Sequence, residues 1–466
     1  MVPMNETSNP LSTRREFIKT TGRLAAVSAL AGVAIPHVHA ASGGLIQLAL
    51  VGCGGRGTGA ANNALSSNGG PLKLVAMADV FEDRLNGSYE TISKQCGDKV
   101  DVPQDHKFIG FDAYQKAMDC LKPGDIVILT TPPAFRWVMF TYAIAKGLNV
   151  FMEKPVTVDG PTTRKMLKLA EEATAKNLKV GVGLMSRHSR ALQQLHQRIE
   201  DGEIGDIVAM RAYRMHGPGG SAYSTKWPGK PSELLWQIQR FHSFIWASGG
   251  CFNDFYIHVI DHCCWMKNAW PVKAQALGGR HYREAPNGET YVDQNFDNYA
   301  VEYTFADGAK LFMDGRCIAG ATTIYNSFAH GTKGSAILSN GGDCGAPSST
   351  YKGQNSERRQ RTWESQIPPG QGDPYTNEWN DLVAAIRNDK PYSELEYGVK
   401  ASLVSSLGRV AAHTARETTL EELLNSKHEY APGVDKLTMD SPAPLQAGAD
   451  GKYPIPYPGV VVNREY

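Results

Sequence analysis

The chain has 466 residues and a mass of 50.8 kDa, a length that divides most naturally into two or three domains. Hydrophobic residues make up 42% and charged residues 20%, enough apolar material for packed cores, which excludes a mainly disordered chain. Lys and Arg number 48 against 47 Asp and Glu, a formal net charge of +1. No charge excess therefore draws the chain to nucleic acid or to an anionic membrane surface, and no apolar run approaches the ~18 residues of a membrane span.

Residues 1–40 read as an address. Arg14-Arg15, with Phe17 two places on, precede an apolar run from Leu24 to Ile35 that is too short to cross a bilayer, and Val38-His39-Ala40 is a small-x-small cleavage pattern. The segment resembles a twin-arginine export signal. That resemblance implies a periplasmic or otherwise exported protein that folds, often around a cofactor, before leaving the reducing cytoplasm. The eight cysteines are accordingly expected as free thiols, with Cys263 and Cys264 in a core helix. No CxxC pair occurs, and no zinc or other metal site is expected.

From Leu45 the pattern is strand, turn, helix, repeated. Apolar runs at 46–51, 72–78, 125–130, 148–152 and 179–183 predict buried parallel strands, and helical patterns at 58–66, 112–121, 135–146 and 161–175 lie between them. Alternation of this kind predicts an α/β fold with a doubly wound parallel sheet. After about residue 190 the rhythm changes. Longer strands are predicted at 206–215, 272–283, 297–306, 309–317, 322–330 and 335–338, better suited to a large, mainly antiparallel open sheet in an α+β domain. Residues 340–374 read as loop. Trp379, Leu382, Val383 and Ile386 mark a core-facing helix by their i, i+3, i+4, i+7 spacing, a second helix is predicted over 396–416, and the proline-rich segment 436–466 reads as an extended tail.

The first strand runs into Gly52-Cys53-Gly54-Gly55-Arg56-Gly57 with a helix behind it. In this setting GxGxxG is a dinucleotide signature. Gly52 allows the tight turn, Gly54 lets the backbone approach a pyrophosphate, and Gly57 allows close helix–strand packing, with the phosphates at the helix N-terminus. Asp79 ends the second strand, where a carboxylate accepts both ribose hydroxyls of NAD and repels the 2′-phosphate of NADP. No arginine directly follows it, so NAD is favoured over NADP, with Arg84 and Arg56 as the residues that argue the other way.

Three segments together resemble the Gfo/Idh/MocA oxidoreductase family: the fingerprint at 52–57 with Asp79; Thr130-Thr131-Pro132-Pro133 followed by the Glu153-Lys154-Pro155 signature; and Asp254-x3-His258-x2-Asp261. The resemblance covers about residues 45 to 416. It implies a dinucleotide-binding Rossmann domain at 44–185, a substrate-binding and oligomerisation domain at 186–435, and a homodimer or homotetramer. It implies cofactor contacts from Gly52, Gly54, Gly55, Arg56, Gly57, Asp79, Thr131, Pro132, Glu153 and Lys154. It also implies a cis Lys154-Pro155 bond, a proton-handling pair in Lys154 and His258, and a substrate or relay role for Asp254. Asp261 is placed to orient His258 or to tie the second domain together. Arg136 stands where many relatives carry histidine.

The residues agree with that chemistry. Oxidising a secondary alcohol needs a group to take the hydroxyl proton as hydride leaves for nicotinamide C4. Lys154 lies at a strand's carboxyl end, where open α/β sheets bind ligands, and Asp254 and His258 share a helix face. Arg187, His188, Tyr213 and Trp236 are the substrate-binding candidates, with His216, Trp227, Gln239, Arg240 and His242 beside them, since aromatic faces stack on sugars while Arg and Gln bind hydroxyls. The expected partner is a small sugar, glycoside or cyclitol. The expected activity is NAD-dependent oxidation or reduction of its secondary hydroxyl, on a tightly bound cofactor. The alternative is a glycosidase that uses NAD for transient oxidation at C3 followed by elimination; glycosidases of this fold tend to lack the Glu-Lys-Pro lysine.

Overall fold

Six apolar segments form an all-parallel sheet: β1 Ile46–Val51, β2 Leu72–Asp79, β3 Lys107–Ile109, β4 Ile126–Leu129, β5 Asn149–Met152 and β6 Val180–Val182, in the order β3-β2-β1-β4-β5-β6. This is the doubly wound Rossmann order, and it reverses between β1 and β4, which opens a crevice at the strands' carboxyl ends. The structure, a computed structural model, describes residues 44–342 and 347–466; the segment 1–40 read as an export signal and Cys344 lie outside them. Helices α1 Gly55–Ser66, α2 Glu82–Cys96, α3 Ala113–Asp119, α4 Arg136–Ala145 and α5 Gly160–Ala175 connect the strands. At the start of α5 Asp159 accepts the Thr162 N–H at 2.8 Å in a capping box, worth about 1 kcal/mol.

The rest of the chain forms α6 Arg190–Glu200, β7 Ile207–His216, α7 Glu233–Gln239, α8 Ile245–Ser248, α9 Gly250–Lys267, β8 Lys273–Gly279, β9 Asn298–Thr304, β10 Lys310–Cys317, β11 Ile324–Gly331, β12 Gly334–Asn340, β13 Ser349–Lys352, β14 Arg361–Glu364, α10 Pro374–Arg387, α11 Leu395–Thr414, β15 Thr418–Thr419 and α12 Leu420–Asn425. Its nine strands run β14-β13-β12-β11-β7-β10-β9-β8-β15. The pairs are antiparallel except β7 with β10, which is parallel, so the sheet is mixed. Alternate residues of β10, Leu311 and Met313, pack into one core with Tyr256 and Ile260 of α9 and Leu403 and Leu407 of α11. Cys263 and Cys264 are buried there, and the described cysteines are free.

Helix α10 does not join that core. Trp379 stacks on Phe151 of β5 with ring centroids 4.5 Å apart, and Leu382, Val383 and Ile386 pack with β1 and β2 residues. The amphipathic helix read at 379–386 therefore covers the parallel sheet, although it follows the second sheet in sequence. Residues 437–466 carry no helix or strand but are tied down. Gln237 donates to the Leu445 carbonyl at 2.6 Å, Tyr453 hydroxyl to Glu233 at 2.6 Å, and Gln294 to the Pro454 carbonyl at 2.8 Å. No helix among the described residues is long and apolar enough to cross a membrane.

Candidate active site

The glycine loop explains itself sterically. Gly52 has φ +97°, and a Cβ there would sit 2.8 Å from the Thr130 backbone. A Cβ on Gly57 would fall 1.9 Å from the Gly52 carbonyl oxygen. Gly54 and Gly55, in contrast, face open space. Helix α1 begins with no side-chain cap and no acidic residue in its first turn. Its first amides are thus left for an anion, as a pyrophosphate requires. At the end of β2 the two Asp79 carboxylate oxygens accept the Cys53 N–H at 2.6 Å and the Phe81 N–H at 2.9 Å. Burial pushes this carboxyl up, against the pull of those two N–H groups and the nearby Arg84.

Asp79, the glycines, Thr131 and Pro132 all line one cavity. Its outer wall comes from far along the chain: Ile238, Phe241, Val434, Asp435 and Leu437. Nothing in the local pattern of residues 434–437 marks them for this place. A second cleft of about 700 Å³ adjoins it, sharing Gly54, Gly55, Arg84 and Phe241 and lined further by Trp236 and His242. An uncapped helix end, an open glycine cradle and a carboxylate at the second strand fit a dinucleotide.

Arg56 borders this cavity but spends its charge inward. Its Nε lies 2.5 Å from Glu153 Oε1, its Nη2 lies 3.7 Å from Glu378, and its guanidinium covers the Tyr375 ring. Glu378 is buried; burial first, and Glu153 second, push its carboxyl up. A Cβ on Gly183 would meet Glu153 at 2.6 Å, so that glycine leaves room for the carboxylate. Arg136 is buried beneath the same loop, donating to the Leu129 carbonyl and to the Thr131 carbonyl at 2.7 Å. Burial pulls its pKa down to about 10. It braces the Thr-Thr-Pro-Pro turn.

Strand β5 delivers Glu153-Lys154-Pro155, with the Lys154-Pro155 bond cis. Lys154 Nζ donates to the Asp254 backbone carbonyl at 2.8 Å and lies 3.4 Å from its Oδ1. The other carboxylate oxygen of Asp254 meets His242 Nε2 at 3.1 Å. Burial alone would raise the Asp254 carboxyl, but the Lys154 ammonium and His242 hold it well below the usual carboxylate range. His258 follows one helical turn later on α9. The Lys154, Asp254 and His242 side chains keep 13–15% exposure, which leaves them within reach of a small molecule. His242, read from sequence as one of several sugar contacts, is drawn onto Asp254.

The substrate-binding candidates separate. Trp236 lines the second cleft and stacks against Tyr453. Arg187 is turned to Asp261, with Nε and Nη2 bonds of 2.9 and 2.8 Å, under the Tyr397 ring; Asp261 thereby serves a buried ion pair with Arg187. His188 lies between Asp381 and Glu394, each 2.8 Å from a ring nitrogen. Burial opposes its charge, yet Glu394 and Asp381 push its pKa up to about 10. Its nitrogens are spent on carboxylates and offer nothing to a sugar. Tyr213 is corrected as well. Met210 and Ala212 of β7 point into the core, so strand alternation puts Tyr213 on the opposite face, where it packs against Phe328.

Comparison with known proteins agrees with this architecture. Residues 192–337 match the model of the GFO/IDH/MocA C-terminal domain. This segment is similar to the C-terminal domain of the Gfo/Idh/MocA family. Among known proteins, an inositol 2-dehydrogenase of Rhizobium meliloti (strain 1021) is 24% identical over 277 residues, 59% of this chain and 71% of that protein. A scyllo-inositol 2-dehydrogenase (NAD(+)) of Bacillus subtilis (strain 168) is 28% identical over 268 residues, 55% of this chain and 65%, just under two thirds, of that protein. Among solved structures, levoglucosan dehydrogenase in complex with NADH and levoglucosan superposes with a TM-score of 0.61 at 17% identity, covering 81% of this chain and 100% of that one. The myo-inositol 2-dehydrogenase of Lactobacillus plantarum gives 0.57 at 21%, covering 81% and 99%. At these identities the structural likenesses establish the fold alone, a parallel sheet followed by a large mixed one.

Proposed function

We propose that this chain is an NAD-dependent oxidoreductase acting on a secondary hydroxyl of a sugar, glycoside or cyclitol. The observation that carries the reading is the 2.8 Å contact from Lys154 Nζ to the helix of Asp254 and His258, at the carboxyl end of the sheet that bears the glycine cradle. The curated relatives, dehydrogenases of inositols, support the substrate class. Asp79 would hold the adenosine ribose, and the amides of Gly54 and Gly55 the pyrophosphate. When bound, the nicotinamide supplies a two-electron hydride acceptor. The chain's own work is with the proton and with orientation. His258 would take the proton of the substrate hydroxyl while Lys154, as an ammonium, hydrogen-bonds the oxygen it leaves, and Asp254, kept ionised by Lys154 and His242, fixes that ammonium. Trp236 offers the second cleft an apolar face for a sugar ring.

The test is to incubate the purified holoprotein with a panel of sugars, glycosides and cyclitols while following nicotinamide absorbance and product mass. Net oxidation or reduction supports the reading. Hydrolysis with no net change in nicotinamide supports redox-assisted glycoside cleavage instead, and no reaction with any member removes both.

Three finer points belong to the same reading. The resemblance of residues 1–40 to an export signal, together with the walled cavity, supports a tightly held NAD that travels with the folded protein; near-stoichiometric NAD(H) released on denaturing dialysed protein would support this, and empty protein would refute it. The export itself is tested by fractionating producing cells, with replacement of Arg14 and Arg15 expected to retain the protein in the cytoplasm. The outer face of the nine-stranded sheet, with Leu277 79% and Phe312 42% exposed, supports a homodimer or homotetramer. Light scattering that reports a monomer at micromolar concentration would exclude it.

A further inference from the structure

Helix α11 touches neither cleft, yet it grips both segments that meet there. Its residues 402, 406 and 409 are spaced i, i+4, i+7 and so share one face. Ser402 Oγ accepts the Val156 N–H at 3.0 Å, two residues past Lys154, while donating to the Gly398 carbonyl at 2.7 Å. Ser406 Oγ accepts from Asn253 Nδ2 at 2.8 Å, one residue before Asp254. Arg409 spans both segments. It donates from Nη1 to the Gly249 carbonyl at 3.0 Å, at the entry of α9, and from Nη2 to the Val158 carbonyl at 3.2 Å. Gly249 has φ +76°, and a Cβ there would stand 2.6 Å from Arg409 Nη1, so the glycine leaves the guanidinium its place.

Arg409 is itself fixed by Glu465. The carboxylate takes Nε at 2.9 Å and Nη2 at 3.0 Å, approaches His413 Nδ1 at 2.7 Å, and accepts the Tyr430 hydroxyl. Arg409 and Glu465 are each 1% exposed. A buried arginine without its carboxylate would be an unpaired charge, which is strongly unfavourable. Glu465 is thus what allows Arg409 to stand between the two carbonyls.

We propose that the ridge Ser402, Ser406 and Arg409, locked by Glu465, is a positioning device that sets the approach of Lys154 to Asp254. It rests on the assignment of Lys154 and Asp254 to the reacting site. The ridge touches no reacting atom. It holds the chain just after Lys154, at Val156 and Val158, and just before Asp254, at Asn253 and Gly249, so the gap that Lys154 Nζ bridges is fixed by bonds to a third element. Misplacing a reacting group by about 1 Å costs on the order of 10²-fold in rate.

The test uses the full chain with its nucleotide. In the Ser402→Ala/Ser406→Ala variant, crystal structures should show Lys154 Nζ withdrawn from the Asp254 carbonyl; an unchanged hydrogen bond overturns the proposal. With an alcohol from the panel, kcat should fall at least tenfold with KM within twofold. A variant that melts at a lower temperature but turns over at the parental kcat marks the ridge as packing alone and also overturns it. Glu465→Gln, which preserves side-chain shape while removing the charge that holds Arg409, carries the same two readouts if the serine variant does not fold. Should the parent oxidise nothing on the panel, the dehydrogenase reading falls, while the Lys154–Asp254 distance still decides the positioning claim.

Discussion

Replacing His188 with Gln should remove a specific block of pH-dependent stability. His188 is buried with Asp381 and Glu394 each 2.8 Å from its ring, and its pKa rises from 6.5 to about 10 against the opposing effect of burial. A pKa raised in the folded state stabilises fully below the unfolded value and is lost as pH rises through the folded one. The window is therefore about pH 6.5 to 10. At about 1.4 kcal/mol per pKa unit the shift corresponds to roughly 5 kcal/mol, shared among the three coupled groups. The assay is urea unfolding of parent and His188→Gln between pH 6 and 10, compared as a difference so that other titrating groups cancel. The parent should be more stable at pH 6, by several kcal/mol, and the gap should narrow steadily toward pH 10. A gap that stays constant with pH, or an imidazole that titrates near 6.5 by NMR, would refute the buried imidazolium.

Asp79→Ala should weaken NAD binding by about 1–3 kcal/mol by calorimetry, the scale of lost charge-assisted hydrogen bonds, with a smaller loss or a gain for NADP; tighter NADP binding to the parent would overturn the assignment. Lys154→Ala and His258→Ala should each lower turnover about 10²-fold or more while retaining NAD by equilibrium dialysis; full activity in both would sink the proton-handling pair. Gly57→Ala should abolish nucleotide binding or folding, because its Cβ has only 1.9 Å to the Gly52 carbonyl oxygen; parental affinity for NAD by calorimetry would show that the loop can relax.

Much of this was legible in the sequence because hydrophobic burial leaves a periodic trace. Five of the six strands of the parallel sheet are short apolar runs, mostly buried, and the glycine loop follows the first of them; β3, Lys107–Ile109, leaves no such trace because it is only half-buried to exposed and three residues long. Helix α2 was not legible, since only Leu85, Ser88 and Ile92 of Glu82–Cys96 are buried, too few to stand out as a stripe. Strands β13 and β14 hide in a polar segment, Ser-Thr-Tyr-Lys and Arg-Thr-Trp-Glu, and owe their form to backbone pairing at a sheet margin. The parallel register of β7 with β10 is set by long-range topology.

At the site, the sequence grouped residues by chemistry, while the fold sorted them by direction. Arg187 and His188 are the right types to hold a sugar, but Asp261, Asp381 and Glu394, distant in sequence, claim them. Tyr213 differs from its neighbours only by one step of strand alternation, which no single sequence displays. His242 has no spacing relation to Asp254 that would predict their contact, because the chain reverses through α8 between them.

The cofactor cavity has a consequence for the order of events during synthesis. Its floor, the glycine loop, is made early, but part of its outer wall is Val434, Asp435 and Leu437. A nascent chain therefore carries a cavity with an open side until those residues clear the ribosome, and α10, which packs on β1 and β2, must also emerge before the sheet below is covered. A nucleotide that lands during this interval rests on glycine amides and Asp79 alone and can leave again. Closure of the cavity is thus a late event, which waits until residues 434–437 have been made and packed.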